Sequence, residues 1–375
     1  MSTSEVSAPA AEKVSFWVAR NWQGMTLSVW YRLLFRHRFA IAPGRMPTAF
    51  RISCIALFNS GFELWEKWIH GDGIKRTRIE QDPLFVIGHW RTGTTLLHEL
   101  LTRDEQFSFP STFQCLSPSH FLSTQSWLPY LIRYMLPKKR PMDNMDVSWH
   151  NPQEDEFALA NLSLLSPYML WAFARLPSRY DKFLTLEEVS AKELRDWKKS
   201  FEHFVRRLTC SDPRRQVLKS PTHTARIKHV LEIFPNAQFI HIVRNPYVVF
   251  ASTMKLWQRM WDIMGLSNPD FSRLEEYVFE NLVRMYGRFE QDRSLLKPGQ
   301  ITEIRYEDLV QDILGQMQRI YEQLNLKHFD RALPKLQQYM DAKKDYKTNR
   351  FELPEETRQQ IARRWSDYIQ RYGYD

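Results

Sequence analysis

The stretch that decides the fold is Leu84-Phe-Val-Ile-Gly88-His-Trp-Arg91-Thr-Gly93-Thr94-Thr95-Leu-Leu-His98. Its apolar start predicts a buried strand. The pattern Gly-x-x-x-x-Gly-Thr-Thr that follows is typical of a loop whose N–H groups bind an anion at the start of a helix. A nucleoside triphosphatase carries lysine directly after the second glycine, whereas this chain has Thr94 there and a cation inside the loop, at Arg91. We therefore expect a loop for an anion other than a magnesium-bound triphosphate.

Short β-like runs recur along the chain, and a helical pattern follows each of them. They cover residues 84–88, 216–219, 238–243 and 301–305. Strands that alternate with longer helices indicate an α/β fold with a parallel sheet. We predict a P-loop-like sheet of about five strands flanked by helices in a domain over residues 82–375, preceded by a helical N-terminal extension over residues 1–81. Within the domain, Thr185 and Glu188 predict a capping box that opens a helix.

The composition limits the class of protein. A chain of 375 residues with 43% hydrophobic content can bury a substantial core. Its three cysteines, Cys54, Cys115 and Cys210, lack the spacing of a disulfide framework or a zinc site and suit a reducing cytosol. The 52 Lys and Arg against 43 Asp and Glu give a net charge of +9, which favours a polyanionic partner: nucleic acid, an acidic membrane or a multiply phosphorylated cofactor. Since there is neither a signal-peptide core nor a run of ~20 apolar residues, we expect a cytoplasmic protein.

The N-terminal region is basic and aromatic. From Lys13 to Phe62 it contains no acidic residue. Its arginines (Arg20, Arg32, Arg36, Arg38, Arg45, Arg51) alternate with aromatic residues (Trp17, Trp22, Trp30, Tyr31, Phe35, Phe39). Amphipathic helices of this kind either lie in a membrane interface or pack their aromatic stripe on the protein core, and both arrangements share one periodicity. We keep both hypotheses, the first as peripheral contact through residues 13–70 at the inner face of the membrane.

A second group of polar residues follows the strand at 238–243. The strand delivers Arg244 at its carboxyl end, Pro246 suits the first turn of the next helix, and Ser252 falls about two turns later. An arginine fork and a hydroxyl in this arrangement can bind a second phosphate. Considered alone, the pair is more typical of an ordinary salt bridge and a solvent-facing serine.

Together these motifs resemble a known family. The glycine loop with Arg91, then Lys219-Ser-Pro, then the strand ending in Arg244-Asn-Pro with Ser252, resemble the sulfotransferases that use 3'-phosphoadenosine 5'-phosphosulfate (PAPS). The branch includes tyrosylprotein and carbohydrate sulfotransferases, and its bacterial members are the most similar. The resemblance covers about Asp82 to Leu309.

The resemblance implies a role for each matching residue. For the 5'-phosphosulfate it implies Arg91, Thr92, Gly93, Thr94 and Thr95, and for the 3'-phosphate Arg244 and Ser252. Lys219 matches the lysine that contacts the bridging oxygen, where negative charge grows as sulfur leaves. Lys347 and Arg350 occupy the position of a basic loop over the nucleotide, or else a solvated surface loop. No metal is expected, because N–H groups, hydroxyls and an arginine can stabilise sulfuryl transfer.

The general base is not fixed by the motifs. Tyrosylprotein sulfotransferases carry a glutamate about two dozen residues after the loop arginine, but this chain has no carboxylate there. The best candidates are Glu154, Asp155 and Glu156, with Glu154 slightly favoured, although acidic residues at a helix start are also ordinary caps. The histidines His223 and His89 compete for the role, whereas His98 is expected to be structural.

The sequence therefore predicts an enzyme that transfers a sulfuryl group from PAPS to a hydroxyl or amine and releases adenosine 3',5'-bisphosphate. The alternatives are a P-loop-type small-molecule kinase and a non-catalytic basic protein of a membrane surface. The acceptor is expected to be a small molecule, a glycan or a lipid, and not nucleic acid. A set of aromatic residues forms either an acceptor surface or part of the core: Phe109, Phe113, Phe121, Trp127, Trp149, Tyr168 and Trp171. The oligomeric state is not predicted.

Overall fold

A five-stranded parallel sheet forms the centre of the molecule. The computed structural model describes residues 20–136, 148–174, 176, 178–342 and 352–374. The strands are β1 (Leu84–Ile87), β2 (Phe107–Ser108), β3 (Arg215–Lys219), β4 (Gln238–Val243) and β5 (Ile301–Arg305), in the spatial order β2-β3-β1-β4-β5. The predicted fold class is confirmed, and the strand that the sequence does not reveal is β2, a pair of residues at the edge.

Helices cover both faces of the sheet. They are α1 (Leu27–Arg36), α2 (Met46–Arg76), α3 (Thr94–Leu101), α4 (Thr112–Leu116), α5 (Phe121–Thr124), α6 (Leu128–Leu131), α7 (Glu156–Ser163), α8 (Ala191–Ser211), α9 (Ile227–Leu231), α10 (Pro246–Met264), α11 (Leu274–Arg293), α12 (Tyr306–Gln311), α13 (Ile313–Gln323), α14 (Phe329–Ala342), α15 (Glu355–Arg364) and α16 (Ser366–Tyr372). Short 3-10 helices occur at Asn21–Gly24, Pro43–Arg45, Arg133–Met135, Pro167–Trp171, Asp181–Phe183 and Pro221–Ala225. None of the described helices is both long and apolar enough to cross a membrane.

The alternation of side chains along β1 creates two hydrophobic cores. Leu84 and Val86 face a core that α3, α13 and α14 complete, whereas Phe85 and Ile87 face a larger core with α8, α11 and the N-terminal helices. All four residues are fully buried, as expected for a central strand of a parallel sheet. The register aligns Val86 with Lys219 and Ile87 with His241, so the loops after β1, β3 and β4 lie next to one another at the carboxyl edge.

The N-terminal helices pack on the larger core. Trp22 and Trp30 are fully buried, and the Trp22 indole donates to the carbonyl of Met264 at 2.7 Å. The buried Arg20 donates to the carbonyl of Ile263 at 2.7 Å. Further along, the Glu66 carboxylate in α2 is paired with Arg207 in α8 inside the protein. Part of the basic, aromatic region therefore packs as the alternative hypothesis predicted.

One helix start differs from the prediction. The helix after residue 185 begins only at Ala191, and its capping box joins Ser190 and Glu193 rather than Thr185 and Glu188. The Ser190 hydroxyl accepts from the Glu193 N–H at 3.2 Å. Leu186 has a left-handed backbone, with φ of 64°, which interrupts any helix that starts at Thr185.

Candidate active site

The glycine loop between β1 and α3 is a tight turn at the carboxyl edge of the sheet. Gly88 donates its N–H to the Thr224 hydroxyl at 2.8 Å, and the Thr92 hydroxyl donates to the His89 carbonyl at 2.8 Å. A methyl group on Gly88 would lie 2.4 Å from the Ile242 carbonyl oxygen, and one on Gly93 would lie 2.3 Å from the Tyr306 ring. Both glycines have positive φ, of 149° and 103°. Only glycine fits these two positions, because a Cβ atom would clash with its neighbours and the backbone conformation is one that other residues rarely adopt.

Three predicted phosphate ligands meet beside this loop. The Arg91 Nε donates to the Ser252 hydroxyl at 2.8 Å, and the Arg244 Nη1 donates to the Arg91 carbonyl at 3.1 Å. The structure thus brings together residues that the resemblance assigned to opposite ends of the nucleotide. Both arginines are partly exposed. Two adjacent cations, a hydroxyl and a backbone turn fit a nucleotide that carries anionic groups at more than one position.

The backbone of Arg244 is held by the C-terminal helix. The Tyr368 hydroxyl in α16 accepts from the Arg244 N–H at 3.1 Å and donates to the Arg244 carbonyl at 2.9 Å. The Arg244 guanidinium lies over the Tyr306 ring, 3.9 Å from its centroid. The acidic residue Glu307 accepts from the Asn245 N–H at 2.9 Å, so it supports the same turn. The position of this guanidinium therefore depends on elements far along the chain.

Four side chains form a hydrogen-bonded chain that runs from the buried Lys219 to Trp90 in the glycine loop. The Lys219 ammonium, at the end of β3, lies 2.7 Å from one oxygen of Glu154, and the two side chains are 3% and 15% exposed. The other oxygen of Glu154 accepts from the Tyr168 hydroxyl. That hydroxyl in turn accepts from the Trp90 indole at 3.0 Å, and Trp90 belongs to the glycine loop. A carboxylate and an ammonium are thus held in fixed positions beside the loop.

Asp155 and Glu156, the two acidic residues that follow Glu154, are both buried. The helix α7 begins at Glu156, with Asp155 as its N-cap. Glu156 is fully buried and accepts from both terminal nitrogens of Arg226, at 2.7 and 3.2 Å. Asp155 is also buried, 2.6 Å from the His223 Nε2. Burial alone would raise the pKa of Asp155, but the charge of His223 and the hydrogen bonds lower it below its ordinary value.

The candidate histidines are buried as well. His223 is fully buried and stacks on Phe201, with 5.1 Å between the ring centroids. Burial lowers the pKa of His89 to about 4. Burial, with the charge of Lys219 as a smaller cause, lowers the pKa of His98 to about 3. Glu154 is therefore the one candidate base among those named, all of them within the described residues, that retains exposure.

Most of the predicted acceptor aromatics belong to the core. Buried are Phe113, Phe121, Trp149, Tyr168 and Trp171, and partly buried are Phe109 and Trp127. Tyr168 stacks on Trp171 with a centroid distance of 4.2 Å. Trp90 and Trp257 complete this group, 5.8 Å apart. The sequence did not single out these two tryptophans, because one lies in a loop and the other has the spacing of a core residue on a helix.

Two predicted residues cannot be placed. Lys347 and Arg350 lie outside the described residues. Within the described ranges, no group of three or more His, Cys, Asp or Glu side chains is arranged to hold a metal ion.

Comparison with known proteins gives concordant results. The model of the sulfotransferase family matches residues 83–331. The chain is 43% identical over 359 residues to the omega-hydroxy-beta-dihydromenaquinone-9 sulfotransferase Stf3 of Mycobacterium bovis, covering 96% of this chain and 92% of that protein. Among solved structures, sulfotransferase STF9 of Mycobacterium avium has a TM-score of 0.70 at 17% identity, covering 92% of this chain and 96% of that one. STF1 of Mycobacterium tuberculosis has a TM-score of 0.62 at 18% identity, with 91% of each chain covered.

Proposed function

The chain belongs to the sulfotransferase family, and from that premise we propose that its acceptor is the hydroxyl group of a membrane lipid of the hydroxylated menaquinone type. The enzyme transfers a sulfuryl group from PAPS and releases adenosine 3',5'-bisphosphate. The kinase and the non-catalytic alternatives are therefore set aside. The observation that carries the proposed acceptor is the 43% identity, over 96% of this chain, to a relative whose name describes such a lipid.

We assign the donor to the carboxyl edge of the sheet. Arg91 and residues 92–95 would hold the 5'-phosphosulfate, and Arg244 with Ser252 would hold the 3'-phosphate. The bond between the Arg91 side chain and Ser252 supports a shared site, because one nucleotide can replace it by binding both groups. Lys347 and Arg350 are kept as proposed ligands of the 3'-phosphate.

Glu154 is the proposed general base, and Lys219 the proposed electrophilic residue. Glu154 accepts the proton of the acceptor hydroxyl as that oxygen forms its bond to sulfur. Lys219 donates a hydrogen bond to the bridging phosphate oxygen, which takes the electron pair of the breaking bond to sulfur. The 2.7 Å contact between the two side chains supports this pairing. Glu156 and His223 are not proposed as bases, because both are buried and occupied by other partners.

Tyr168 is proposed to position Glu154. Its hydroxyl donates to the carboxylate and is itself oriented by the Trp90 indole. Since the carboxylate lies between a hydroxyl donor and an ammonium, its orientation is fixed before an acceptor arrives.

The proposed acceptor places the reaction at a membrane. A menaquinone-type lipid has its tail in the bilayer, so the enzyme would work at the inner face of the membrane and meet it through the region of residues 13–70.

The acceptor is tested with purified enzyme, PAPS and two menaquinones in detergent micelles, one with and one without the side-chain hydroxyl. We expect mass spectrometry to show one added SO3 on the hydroxylated lipid alone. A phenol and a glycan serve as competing acceptors. Sulfation of either of these, with none of the hydroxylated lipid, would contradict the proposal.

A further inference from the structure

Large apolar side chains are exposed on one set of elements. In the described part of the chain, eighteen such side chains are exposed, and fourteen of them lie within residues 31–69 or 130–134. Eleven lie in the N-terminal region, ten of them in α1 or α2 and Phe39 in the turn after α1: Tyr31, Phe35, Phe39, Met46, Phe50, Leu57, Phe58, Leu64, Trp65, Trp68 and Ile69. The other three, Tyr130, Leu131 and Tyr134, belong to α6 and the turn that follows it. Monomeric proteins in water rarely leave such a concentration uncovered.

The solvent-facing side of α2 is an uninterrupted apolar stripe. Its exposed residues at helical spacing are Met46, Phe50, Cys54, Leu57, Gly61, Leu64 and Trp68. Phe50 is 73% exposed and Trp68 is 84% exposed. Within this described helix, no charged side chain is exposed between Met46 and Leu64. The opposite side, with Ile52 and Ala56, packs on the core, so α2 is apolar on both sides.

The elements that carry these side chains are contiguous. The Phe62 ring in α2 lies 5.8 Å from the Trp127 ring, which directly precedes α6. Ser123 in α5 donates its N–H to Glu66 in α2 at 3.0 Å, which holds the α5–α6 segment beside α2. The fourteen exposed side chains therefore belong to two segments that pack against each other.

Positive charge lies on α1, whose Trp30 indole donates to the Ser53 hydroxyl of α2 at 2.8 Å. Arg32, Arg36 and Arg38 are exposed at the end of α1, where Phe35 and Phe39 are also exposed. Acidic residues are absent from this part of the chain up to Phe62. Apolar side chains flanked by arginines complement the surface of an anionic bilayer, in which lipid phosphates meet the cations and acyl chains meet the apolar groups.

We propose that the exposed faces of α1, α2 and α6 form one docking surface for an anionic membrane. This inference rests on the proposed lipid acceptor and narrows the membrane contact to these faces, since Arg20, Trp22 and Trp30 of the same region are buried. A second copy of the chain fits less well. In a two-fold dimer this surface faces itself, and its residues up to Phe62 include no acidic partner for the arginines of α1.

The N-terminal region that carries the docking surface contacts the helix after the proposed base. Asn21, beside α1, accepts from the Asn161 side chain of α7 at 3.0 Å. The helix α7 directly follows the proposed base Glu154, and the segment that bears α6 lies between β2 and that base. The same region also binds the end of α10, the helix that carries the proposed nucleotide ligand Ser252. A lipid that enters from the bilayer would therefore approach the elements that border the proposed site.

The test is co-sedimentation of the full-length enzyme with vesicles that contain no quinone. One set is phosphatidylcholine and the other is equal parts phosphatidylcholine and phosphatidylglycerol. The variant Phe50→Ser/Leu57→Ser/Trp68→Ser removes three exposed side chains of α2. The matched control Val283→Ser/Leu295→Ser/Val310→Ser removes three exposed apolar side chains elsewhere. Binding of adenosine 3',5'-bisphosphate, measured by calorimetry, shows that each variant is folded.

We expect wild type and control to bind the anionic vesicles at least about tenfold more tightly than the neutral ones, and the α2 variant to lose about tenfold or more of this binding. Equal binding by the wild type and the α2 variant would overturn the inference. A second outcome would also overturn it: the wild type forms a dimer in light scattering and does not bind vesicles, and the α2 variant is a monomer. Wild type that fails to bind vesicles but sulfates the hydroxylated lipid in micelles would overturn the docking surface alone, and the proposed function would stand.

Discussion

Two glutamates that are two residues apart have opposite environments. Glu154 is partly exposed and shares its oxygens between Lys219 and Tyr168. Glu156 is fully buried and forms a bidentate pair with Arg226. A partly exposed carboxylate can exchange a proton with a substrate, whereas a buried one paired with arginine holds the structure together.

This contrast predicts that the same substitution lowers activity at one position and stability at the other. Glu154→Gln should lower kcat by about 100- to 10,000-fold, because the acceptor hydroxyl loses its base. Glu156→Gln should instead lower the free energy of unfolding by about 3 kcal/mol, because Arg226 keeps a buried charge without its counter-ion. Steady-state kinetics and urea unfolding of both variants measure the two effects. If Glu154→Gln kept kcat within about threefold of wild type, the assignment of the base would be wrong.

The hydroxyl of Tyr168 should be needed for turnover and not for nucleotide binding. It donates to the Glu154 carboxylate, so without it the proposed base is oriented by Lys219 alone. Tyr168→Phe should therefore lower kcat by about tenfold or more, while binding of adenosine 3',5'-bisphosphate stays unchanged. Tyr180→Phe is the matched control, because Tyr180 is equally buried and hydrogen-bonds to the distant His37. A kcat of Tyr168→Phe equal to that of Tyr180→Phe would show that the Tyr168 hydroxyl has no positioning role.

At the residue scale, the sequence indicated which kinds of side chain the site contains better than it indicated which side chains contact one another. It proposed Lys219 and Arg244 because they stand at strand ends and match family motifs, whereas Glu154 was one of several candidate bases. It favoured Glu154 only slightly over Glu156, because the start of α7, which decides which of them lies in the helix, could not be predicted to within a few residues. It also did not connect Trp90 with Tyr168, because these residues are 78 positions apart and only the tertiary fold brings them together.

At the scale of elements, the helix α16 supports the backbone of Arg244, a proposed ligand of the nucleotide. Tyr368→Phe removes both hydrogen bonds to the Arg244 backbone. We expect the Kd for adenosine 3',5'-bisphosphate to rise about three- to tenfold, with kcat nearly constant, because the proposed phosphate ligand loses its support. Isothermal titration measures the change. Tyr372→Phe is the control on the same helix, since its hydroxyl bonds to Glu290 instead, and an equal loss in both variants would point to general destabilisation.

Elements with strong apolar periodicity could be predicted from the sequence. The runs that became β1, β3, β4 and β5 were recognised because a helical pattern follows each of them, although only β1 is wholly apolar. The strand β2 was missed, as its two residues carry no pattern. The capping box at Thr185 was wrong because the same signature, Ser/Thr followed by Glu at the third position, recurs at Ser190 and Glu193, where the backbone permits a helix.

The whole molecule should be sensitive to acid. Burial is the main cause that lowers the pKa of His89 and His120 to about 4 and of His98 to about 3. In the unfolded chain each histidine binds a proton near its ordinary value of about 6.5, so the unfolded state takes up more protons below that pH. The stability that depends on keeping these histidines neutral is complete above about pH 6.5. It is lost as the pH falls towards their pKa values in the folded protein, by about 2 kcal/mol per histidine at pH 5.

Urea unfolding at pH 7, 6 and 5 tests this expectation. His98→Gln should reduce the proton uptake on unfolding by about one, because glutamine can still donate to the Val217 carbonyl without titrating. Equal free energies of unfolding at pH 7 and pH 5 would contradict the prediction.

The attachment of the first helices to the end of α10 has a consequence for biosynthesis. Arg20 and Trp22 bind carbonyls that lie 243 and 242 positions further along the chain. These partners leave the ribosome long after α1 and α2, and during that interval α2 presents apolar residues on all sides. Nascent chains should therefore depend on a chaperone, or on early capture by the bilayer, until translation has passed α10.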